Sequence, residues 1–190
     1  PDIGQASLLD CEATSVVPAQ ATLLSLSAIP LWYSRASGRI VGAGSVRSWF
    51  NDPKAPISKQ ITELTGITNE MVAGKSLPVD EIRDDLRKSG VIIAHNAQYD
   101  RVLATRYLPF LESSHWACSL KEAAWRKTQA GCHSGKKLGE LLSQRGYCHV
   151  AHRGDMDTEA LGVLLAASDS EAFLALLENA REGTIDPTFQ

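Results

Sequence analysis

The chain has 190 residues and a mass of 20.5 kDa, with 44% hydrophobic and 22% charged residues, 14 Gly and 8 Pro. These values lie close to the globular average, so they exclude collagen-like and disordered chains and predict one domain that buries its own core. A formal net charge of -3 excludes a wholly basic nucleic-acid coat protein but allows a local basic face.

The sequence also favours a cytoplasmic protein with no membrane span. The longest apolar candidate, 21–33, is interrupted by Ser25, Ser27 and Pro30, and the first residues lack the pattern of a signal peptide. We therefore expect a single domain over residues 1–182, followed by a C-terminal tail at 183–190.

Strand-like runs come first along the chain and helical patterns follow. Three strands are predicted at 6–14, 22–33 and 39–50, the last two separated by a turn-like segment. Helical spacing begins at Ser58, breaks around Gly66 and resumes after Pro78. The remaining predictions are a buried strand at 91–94, a strand at 115–119, a loop at 129–135, and helices at 98–107, 120–127, 136–145, 155–167 and 171–181. This order predicts an α/β fold with a mixed five-stranded sheet flanked by helices.

Two carboxylates, Asp10 and Glu12, occupy the end of the first predicted strand. Because side chains alternate along a strand, both point to the same face, while Leu9 and Cys11 point to the other. Two adjacent acids on a mostly apolar strand repel each other, and a divalent metal would offset that repulsion. Taken alone, however, such a pair is more often two hydrated acids at a fraying strand end.

Two further acids, Asp100 and Asp157, stand near the starts of predicted helices. Each shares a helical face with apolar residues at positions i+3, i+4 and i+7, so each carboxylate faces the sheet. Either acid could merely favour the positive end of its helix, a stabilisation of ~0.3–1 kcal/mol. Together with the strand pair, however, they suggest one acidic site.

His152 lies in the turn that leads into the Asp157 helix. A histidine there is either an ordinary surface residue or a general base, because an unperturbed imidazole titrates near pH ~6.5 and accepts a proton at neutral pH.

These residues resemble the motifs of the DEDDh, or DnaQ-like, 3′-to-5′ exonucleases. The resemblance is carried by Asp-Cys-Glu-Ala-Thr at 10–14, His-Asn-Ala-Gln-Tyr-Asp at 95–100 and His-Arg-Gly-Asp-Met-Asp at 152–157. A segment at 57–72 that contains Gly-Ile-Thr is also similar, and the order and spacing match over about residues 8–167. Tyr99 departs from the pattern, since Phe is common at that position.

The resemblance implies a ribonuclease H-like fold and a site for two Mg²⁺ or Mn²⁺ ions. It places Asp10, Glu12 and Asp157 around the first ion, and Asp10, with Asp100 through water, around the second. Hard oxygen ligands suit these ions and two such ions suit phosphodiester hydrolysis. His152 would be the general base that deprotonates the attacking water.

The candidate substrate-binding residues are Thr14, Asn96, Lys121 and Arg153. Thr14 and Asn96 follow from the motifs, although Thr14 is equally well explained as a strand-end hydroxyl. Lys121 and Arg153 belong to a stretch, 115–153, with seven basic side chains and two acids. That stretch either follows a strand of phosphates or forms solvated helical faces.

The function favoured by the sequence is a metal-dependent 3′–5′ exonuclease that releases nucleoside monophosphates from single-stranded or frayed 3′ ends. Its expected partner is therefore a DNA or RNA 3′ end, with no membrane. The alternatives are an oligoribonuclease or RNA-trimming enzyme, or a proofreading-type accessory subunit of a polymerase or another nucleic-acid machine.

Overall fold

The protein is described by a computed structural model that covers residues 2–121, 137–148, 152–168 and 170–182. The loop predicted at 129–135, the tail predicted at 183–190 and most of the helix predicted at 120–127 lie outside these residues.

Two long antiparallel strands form the centre of the sheet. β1 (Ile3–Ala13) pairs with β2 (Leu23–Ser34) over its whole length, with Asp10 opposite Ser27 and Glu12 opposite Ser25. The register shifts between Glu12 and Ala13, so the ladder is irregular immediately beyond the two carboxylates.

The third predicted strand is two strands, and the prediction of one continuous strand at 39–50 is wrong. β3 (Ile40–Ala43) and β4 (Arg47–Phe50) pair with different parts of β2. Pro30 of β2 lies between these parts and has no N–H to donate to a ladder, although its carbonyl still accepts from Gly44 N at 2.8 Å. The partner strand is interrupted at that point.

On the other side of β1, the sheet continues with two parallel strand pairs and ends in an antiparallel pair. β5 (Val91–Ala94) runs parallel to β1, β6 (His115–Cys118) runs parallel to β5, and the short β7 (Arg181–Glu182) is antiparallel to β6. The strand order is β3-β2-β1-β5-β6-β7, with β4 also paired to β2. The predicted mixed sheet flanked by helices is confirmed, but in the described residues it has seven strands rather than five.

The segment between β4 and β5 forms three short helices. α1 (Lys59–Thr65) and α2 (Asn69–Val72) begin at Ser58 and Thr68, whose side chains accept hydrogen bonds from backbone N–H groups. Gly66 ends α1 in the left-handed conformation, as its position in the sequence predicts. α3 (Val79–Leu86) follows Pro78.

Four later helices cover the two faces of the sheet. α4 (Ala97–Tyr107) and α3 pack on the face that carries Leu9 and Cys11. α6 (Gly154–Ala166) and α7 (Ser170–Glu178) cover the opposite face, where Leu161 and Phe173 meet Leu8. The short α5 (Leu138–Ser143) packs beside α6. Because α4 and α6 begin at the edge where β1 ends, the fold brings both helix starts to Asp10 and Glu12.

Among the described residues, no single helix has the length and apolar composition needed to cross a membrane. Helices α6 and α7 meet the length and composition criteria only when they are taken together. The pair bends by 115°, and its apolar side chains contribute to the core.

Candidate active site

Three carboxylates form a tight cluster at the end of β1. Asp10, Glu12 and Asp157 each offer an oxygen, and these oxygens all lie within 4.8 Å of one another. The alternation of β1 turns the first two toward α6, and Asp157 reaches them from the first turn of that helix. The Arg153 N–H donates to Asp157 Oδ2 at 3.0 Å, which holds this carboxylate in place.

Asp100 approaches the same strand from the other face of the sheet. It is 3% exposed, and its Oδ1 accepts a hydrogen bond from Cys11 N at 3.0 Å. Burial raises the pKa of Asp100 well above its ordinary value, and the Asp10 charge raises it further. Asp10 is therefore the carboxylate with acidic neighbours on both sides.

Burial and mutual repulsion make the metal-free cluster hold protons. Burial, and then the charge of Asp157, raise the pKa of Asp10 to about 8. Burial, followed by the charges of Asp10, Asp157 and Asp155, raises the pKa of Glu12 to about 9. A bound cation would reverse both effects, since it stabilises the ionised form of each carboxylate.

The starts of α4 and α6 share an uncommon backbone conformation. Three non-glycine residues among those described have positive φ. Asn96, at 86°, lies directly before α4, and His152, at 67°, lies two residues before the first residue of α6. Such conformations cost free energy and concentrate at functional sites. The His152 side chain is exposed in the turn before Gly154, as the sequence predicts.

A cavity of about 340 Å³ lies beside the cluster, over β2 and β4. Its lining includes the serines Ser25, Ser27 and Ser48, the apolar residues Phe50, Ile67 and Met71, and the first residues of the α6 region, Arg153, Gly154 and Asp155. Hydroxyls beside apolar side chains can bind sugar and base at once, so the cavity has room and chemistry for part of a nucleotide.

The exonuclease family RNase_T matches residues 7–164, a span that holds all four acids and His152. The chain belongs to this exonuclease family. The resemblance to DEDDh exonucleases inferred from the motifs is confirmed.

Relatives of this exonuclease domain include much longer proteins. The PolC-type DNA polymerase III of Bacillus subtilis (strain 168) is 33% identical over 95 residues, which is 49% of this chain and 6% of that protein. The PolC-type polymerase of Clostridium perfringens (strain 13 / Type A) is 33% identical over 96 residues, with the same coverage of both chains.

Two solved structures with the same fold are exonucleases. The zinc-bound complex of E. coli exonuclease I with single-stranded DNA has a TM-score of 0.61 and 16% identity, covering 86% of this chain and 40% of that one. Exonuclease X in complex with 5′ overhanging duplex DNA has a TM-score of 0.55 and 21% identity, covering 90% of this chain and 98% of that one.

The residues predicted to contact substrate have varied surroundings. The Thr14 hydroxyl accepts from Thr22 N at 2.9 Å and so takes part in closing a loop. Asn96 makes no side-chain cap for α4. Lys121 donates to Gln98 Oε1 at 3.2 Å, and Arg153 Nε lies 3.7 Å from Asp155 Oδ1. Their substrate roles stay predictions.

Aromatic side chains provide surfaces for stacking bases, and the stretch at 115–153 contains Trp116 and Trp125. Trp116 is 5% exposed and donates to Leu111 O at 3.2 Å, so it belongs to the core rather than to a base-stacking surface. Trp125 and three of the seven basic residues, Arg126, Lys127 and Lys136, lie outside the described residues.

Two features of the site were missed from the sequence. Ser25 and Ser27 lie beside the carboxylates on β2, and their alternation with leucines in a buried strand was a signal that could have found them. Gly154 packs against the cluster, since a Cβ there would lie 3.3 Å from Asp10 Oδ2 and 3.2 Å from Ser27 Oγ. Nothing local in the sequence marks this close approach.

We expect the pKa shift of Glu12 to make metal-free protein less stable as pH rises. Between its ordinary pKa and about 9, folded protein holds a proton that the unfolded chain releases, so the free energy of unfolding falls across that window. Glu12→Gln removes the effect. At pH 8 in EDTA, its Tm should exceed that of wild type by ~4–8 °C, equivalent to ~2 kcal/mol.

The measurement is thermal unfolding at pH 5, 7 and 8.5. Asp80→Asn is the control, because Asp80 is exposed and paired with Arg83 on α3. A Tm difference between Glu12→Gln and wild type that stays constant with pH would contradict the expectation.

Gly154 should tolerate one methyl group but not a branched side chain. The nearest atoms to a new Cβ are side-chain oxygens that can shift by a few tenths of an ångström, so Gly154→Ala should stay within about fivefold of wild-type turnover. Gly154→Val places further carbons in the cluster and should lower turnover by ~10²-fold or more.

Gly162→Val is the matched control for Gly154→Val on the same helix. A Cβ at Gly162 meets Leu8 Cδ1 at 3.3 Å, so this change should lower stability with turnover of the folded protein retained. Equal turnover for both valine variants under folding conditions would argue against a special role for the space at Gly154.

Proposed function

We propose that this domain is a metal-dependent 3′–5′ exonuclease that releases nucleoside 5′-monophosphates from single-stranded or frayed 3′ ends. The observation that carries the proposal is the cluster of Asp10, Glu12 and Asp157, backed by Asp100, at one edge of an exonuclease-family fold. An acidic cluster without metal would repel a phosphodiester. The site therefore needs cations to bind its substrate.

The donor set fits Mg²⁺ or Mn²⁺. Every side-chain donor in the cluster is a carboxylate oxygen, which suits hard divalent ions, and zinc sites typically draw on Cys and His. Asp10, Glu12 and Asp157 would hold one ion, and Asp10 together with Asp100 would hold the second. When bound, such ions supply Lewis-acid stabilisation of the attacking and leaving oxygens of a phosphodiester.

The protein's own residues carry the proton and orient the substrate. His152, exposed at the start of α6, accepts a proton from the attacking water on an imidazole nitrogen. Attack on phosphorus breaks its bond to the O3′ of the preceding nucleotide, which leaves with a proton, and the terminal nucleotide departs as a 5′-monophosphate. We assign Lys121 and Arg153 to phosphate contacts, and Thr14 and Asn96, which are close in sequence to Glu12 and Asp100, to further contacts with the substrate.

The test is digestion of 5′-labelled and 3′-labelled oligonucleotides, DNA beside RNA, with Mg²⁺, Mn²⁺ or EDTA. We expect the 5′-labelled strand to shorten stepwise, and the 3′-labelled strand to release its label at once as a mononucleotide. EDTA should abolish both reactions. Circular single strands should resist digestion. Circles degraded as fast as linear strands would replace the proposal with an endonuclease.

A polymerase-associated proofreading role is the second candidate. It is favoured by the 33% identity to PolC-type polymerases over 95 residues. Faster removal of a mismatched than of a paired primer terminus would support it. RNA degraded much faster than DNA would instead favour an RNA-trimming enzyme.

A further inference from the structure

Ser25 carries a buried hydroxyl beside the carboxylate cluster. It lies on β2 directly opposite Glu12 of β1, and it is 4% exposed. Residues directly opposite each other in an antiparallel pair have Cβ atoms about 4.5–5.5 Å apart and share one face of the sheet. The Ser25 side chain therefore points to the face that carries Asp10 and Glu12, next to the second of these carboxylates.

The three serines that line the cavity differ in their hydrogen bonds. Ser27 Oγ and Ser48 Oγ lie 2.8 Å apart, so each of these hydroxyls has the other as its partner. Within the described part of the chain, no hydrogen bond joins the Ser25 hydroxyl to another group, although the residue is buried and lines the cavity. A buried hydroxyl without a partner costs free energy, so it calls for a partner that the folded chain does not itself supply.

The substrate brings a sugar to this position. In the proposed reaction, the scissile phosphate lies at the carboxylate cluster. The terminal sugar is joined to that phosphate through its 5′ oxygen, so a short covalent link holds the sugar beside the carboxylates. Ser25, across from Glu12, faces the cavity on that side of the cluster.

The 2′-hydroxyl is the group that distinguishes ribose from deoxyribose. It both donates and accepts a hydrogen bond, and a serine hydroxyl does the same. A terminal ribose would therefore give the Ser25 hydroxyl a partner, whereas a terminal deoxyribose would leave it unpaired. Binding sites discriminate against an analogue that leaves a buried polar group of the protein without its partner.

We propose that Ser25 is a specificity-determining residue that hydrogen-bonds the 2′-hydroxyl of the 3′-terminal sugar, so that the site prefers a ribonucleotide end. The inference rests on the proposed exonuclease function and names its substrate class. The preference belongs to the terminal nucleotide alone, because only that sugar reaches the hydroxyl.

The test uses 5′-labelled DNA strands that differ only in their last nucleotide, which carries 2′-H, 2′-OH or 2′-F. Removal of that nucleotide with Mg²⁺ gives kcat/KM for each end. The oxygen that leaves belongs to the preceding nucleotide, which is deoxy in every strand, so the bond that breaks is the same. The 2′-fluoro sugar keeps the ribose pucker but cannot donate a hydrogen bond.

Wild-type protein should remove the 2′-OH end about five- to tenfold faster than the 2′-H end, which is the effect of about one neutral hydrogen bond. The 2′-F end should behave like the 2′-H end. In Ser25→Ala the ratio of the 2′-OH to the 2′-H rate should fall to about one, and Ser25→Thr, which retains a hydroxyl, should keep part of it. Because each ratio is taken within one variant, a general loss of folded protein cancels.

Ser7→Ala is the matched control for loss of a buried serine hydroxyl. Ser7 is 2% exposed, lies on the other face of β1 and is bonded to Ser89 Oγ at 2.7 Å, so its ratio should match wild type. Equal wild-type rates on the 2′-OH and 2′-H ends, a preference that survives in Ser25→Ala, or a 2′-F end removed as fast as the 2′-OH end would each overturn the inference.

A binding measurement separates this inference from the proposed function. Fluorescence anisotropy with Ca²⁺ in place of Mg²⁺ gives Kd for the same strands without relying on cleavage. Tighter binding of the 2′-OH end that is lost in Ser25→Ala, in a protein that cuts none of the strands, would overturn the proposed function and support the role of Ser25. Cleavage of all ends at one rate would do the opposite.

Discussion

Asp10→Ala protein is expected to digest single-stranded DNA at least about 10³-fold more slowly than wild type while remaining folded. Asp10 lies in the cluster with Glu12 and Asp157, and its charge also acts on Asp100 from the other face of the sheet. Among the charges that act on Asp100, that of Asp10 has the largest effect. Removal of Asp10 therefore weakens both proposed ion sites at once.

The same substitution should stabilise the metal-free protein. Because the pKa of Asp10 is raised to about 8 by burial and by Asp157, the ionised side chain opposes folding at pH 8, and alanine removes that charge. Loss of activity combined with an unchanged or higher Tm in EDTA would exclude unfolding as the cause.

Initial rates on a 5′-labelled strand and thermal unfolding in EDTA give the two measurements for Asp10→Ala. Asp80→Asn, an exposed acid on α3, should change neither. Turnover above about a tenth of wild type in Asp10→Ala would be incompatible with the two-ion assignment.

The second large effect is expected for His152→Ala, with turnover lowered by ~10²–10⁴-fold. A general base must be neutral to accept a proton, so the wild-type rate should fall at acidic pH. The variant should lose this acid limb. Mn²⁺ affinity should stay near wild type, since the four carboxylates remain.

A histidine that only shapes the turn before α6 gives a different result. Its left-handed φ of 67° would then explain a small change in stability, with near-normal turnover and an unchanged pH profile. His115→Ala is the matched control, because His115 is also exposed but lies at the start of β6. Parallel Mn²⁺ titration and pH–rate profiles of the two variants distinguish these roles.

Local features of the site were predictable because they depend on short stretches of chain. The alternation along β1 places Asp10 and Glu12 on one face, and the helical period places Asp100 and Asp157 toward the sheet. The end of α1 at Gly66 follows in the same way from one residue's freedom to adopt positive φ. Each of these inferences needs only the dihedral preferences and periods of neighbouring residues.

The errors arose where a distant partner decides the outcome. A single strand at 39–50 has a reasonable local pattern, but its partner strand carries Pro30, which divides it into β3 and β4. The partner of the Thr14 hydroxyl, Thr22 N, was likewise not predictable, although the substrate role of Thr14 stays a prediction. Neither outcome follows from the sequence of the affected segment alone.

Motif residues and periods are local properties, so they were sufficient to predict the class of fold, the family and the candidate site residues, the four acids and His152. Only the folded chain shows that oxygens of three acids from β1 and α6 lie within 4.8 Å of one another, that Gly154 packs against Asp10, and that Arg106 binds a loop more than eighty residues earlier in the chain. These contacts follow from strand order and from how α4 and α6 pack on opposite faces of the sheet. That packing is set by the burial of the whole apolar core, which no single segment encodes.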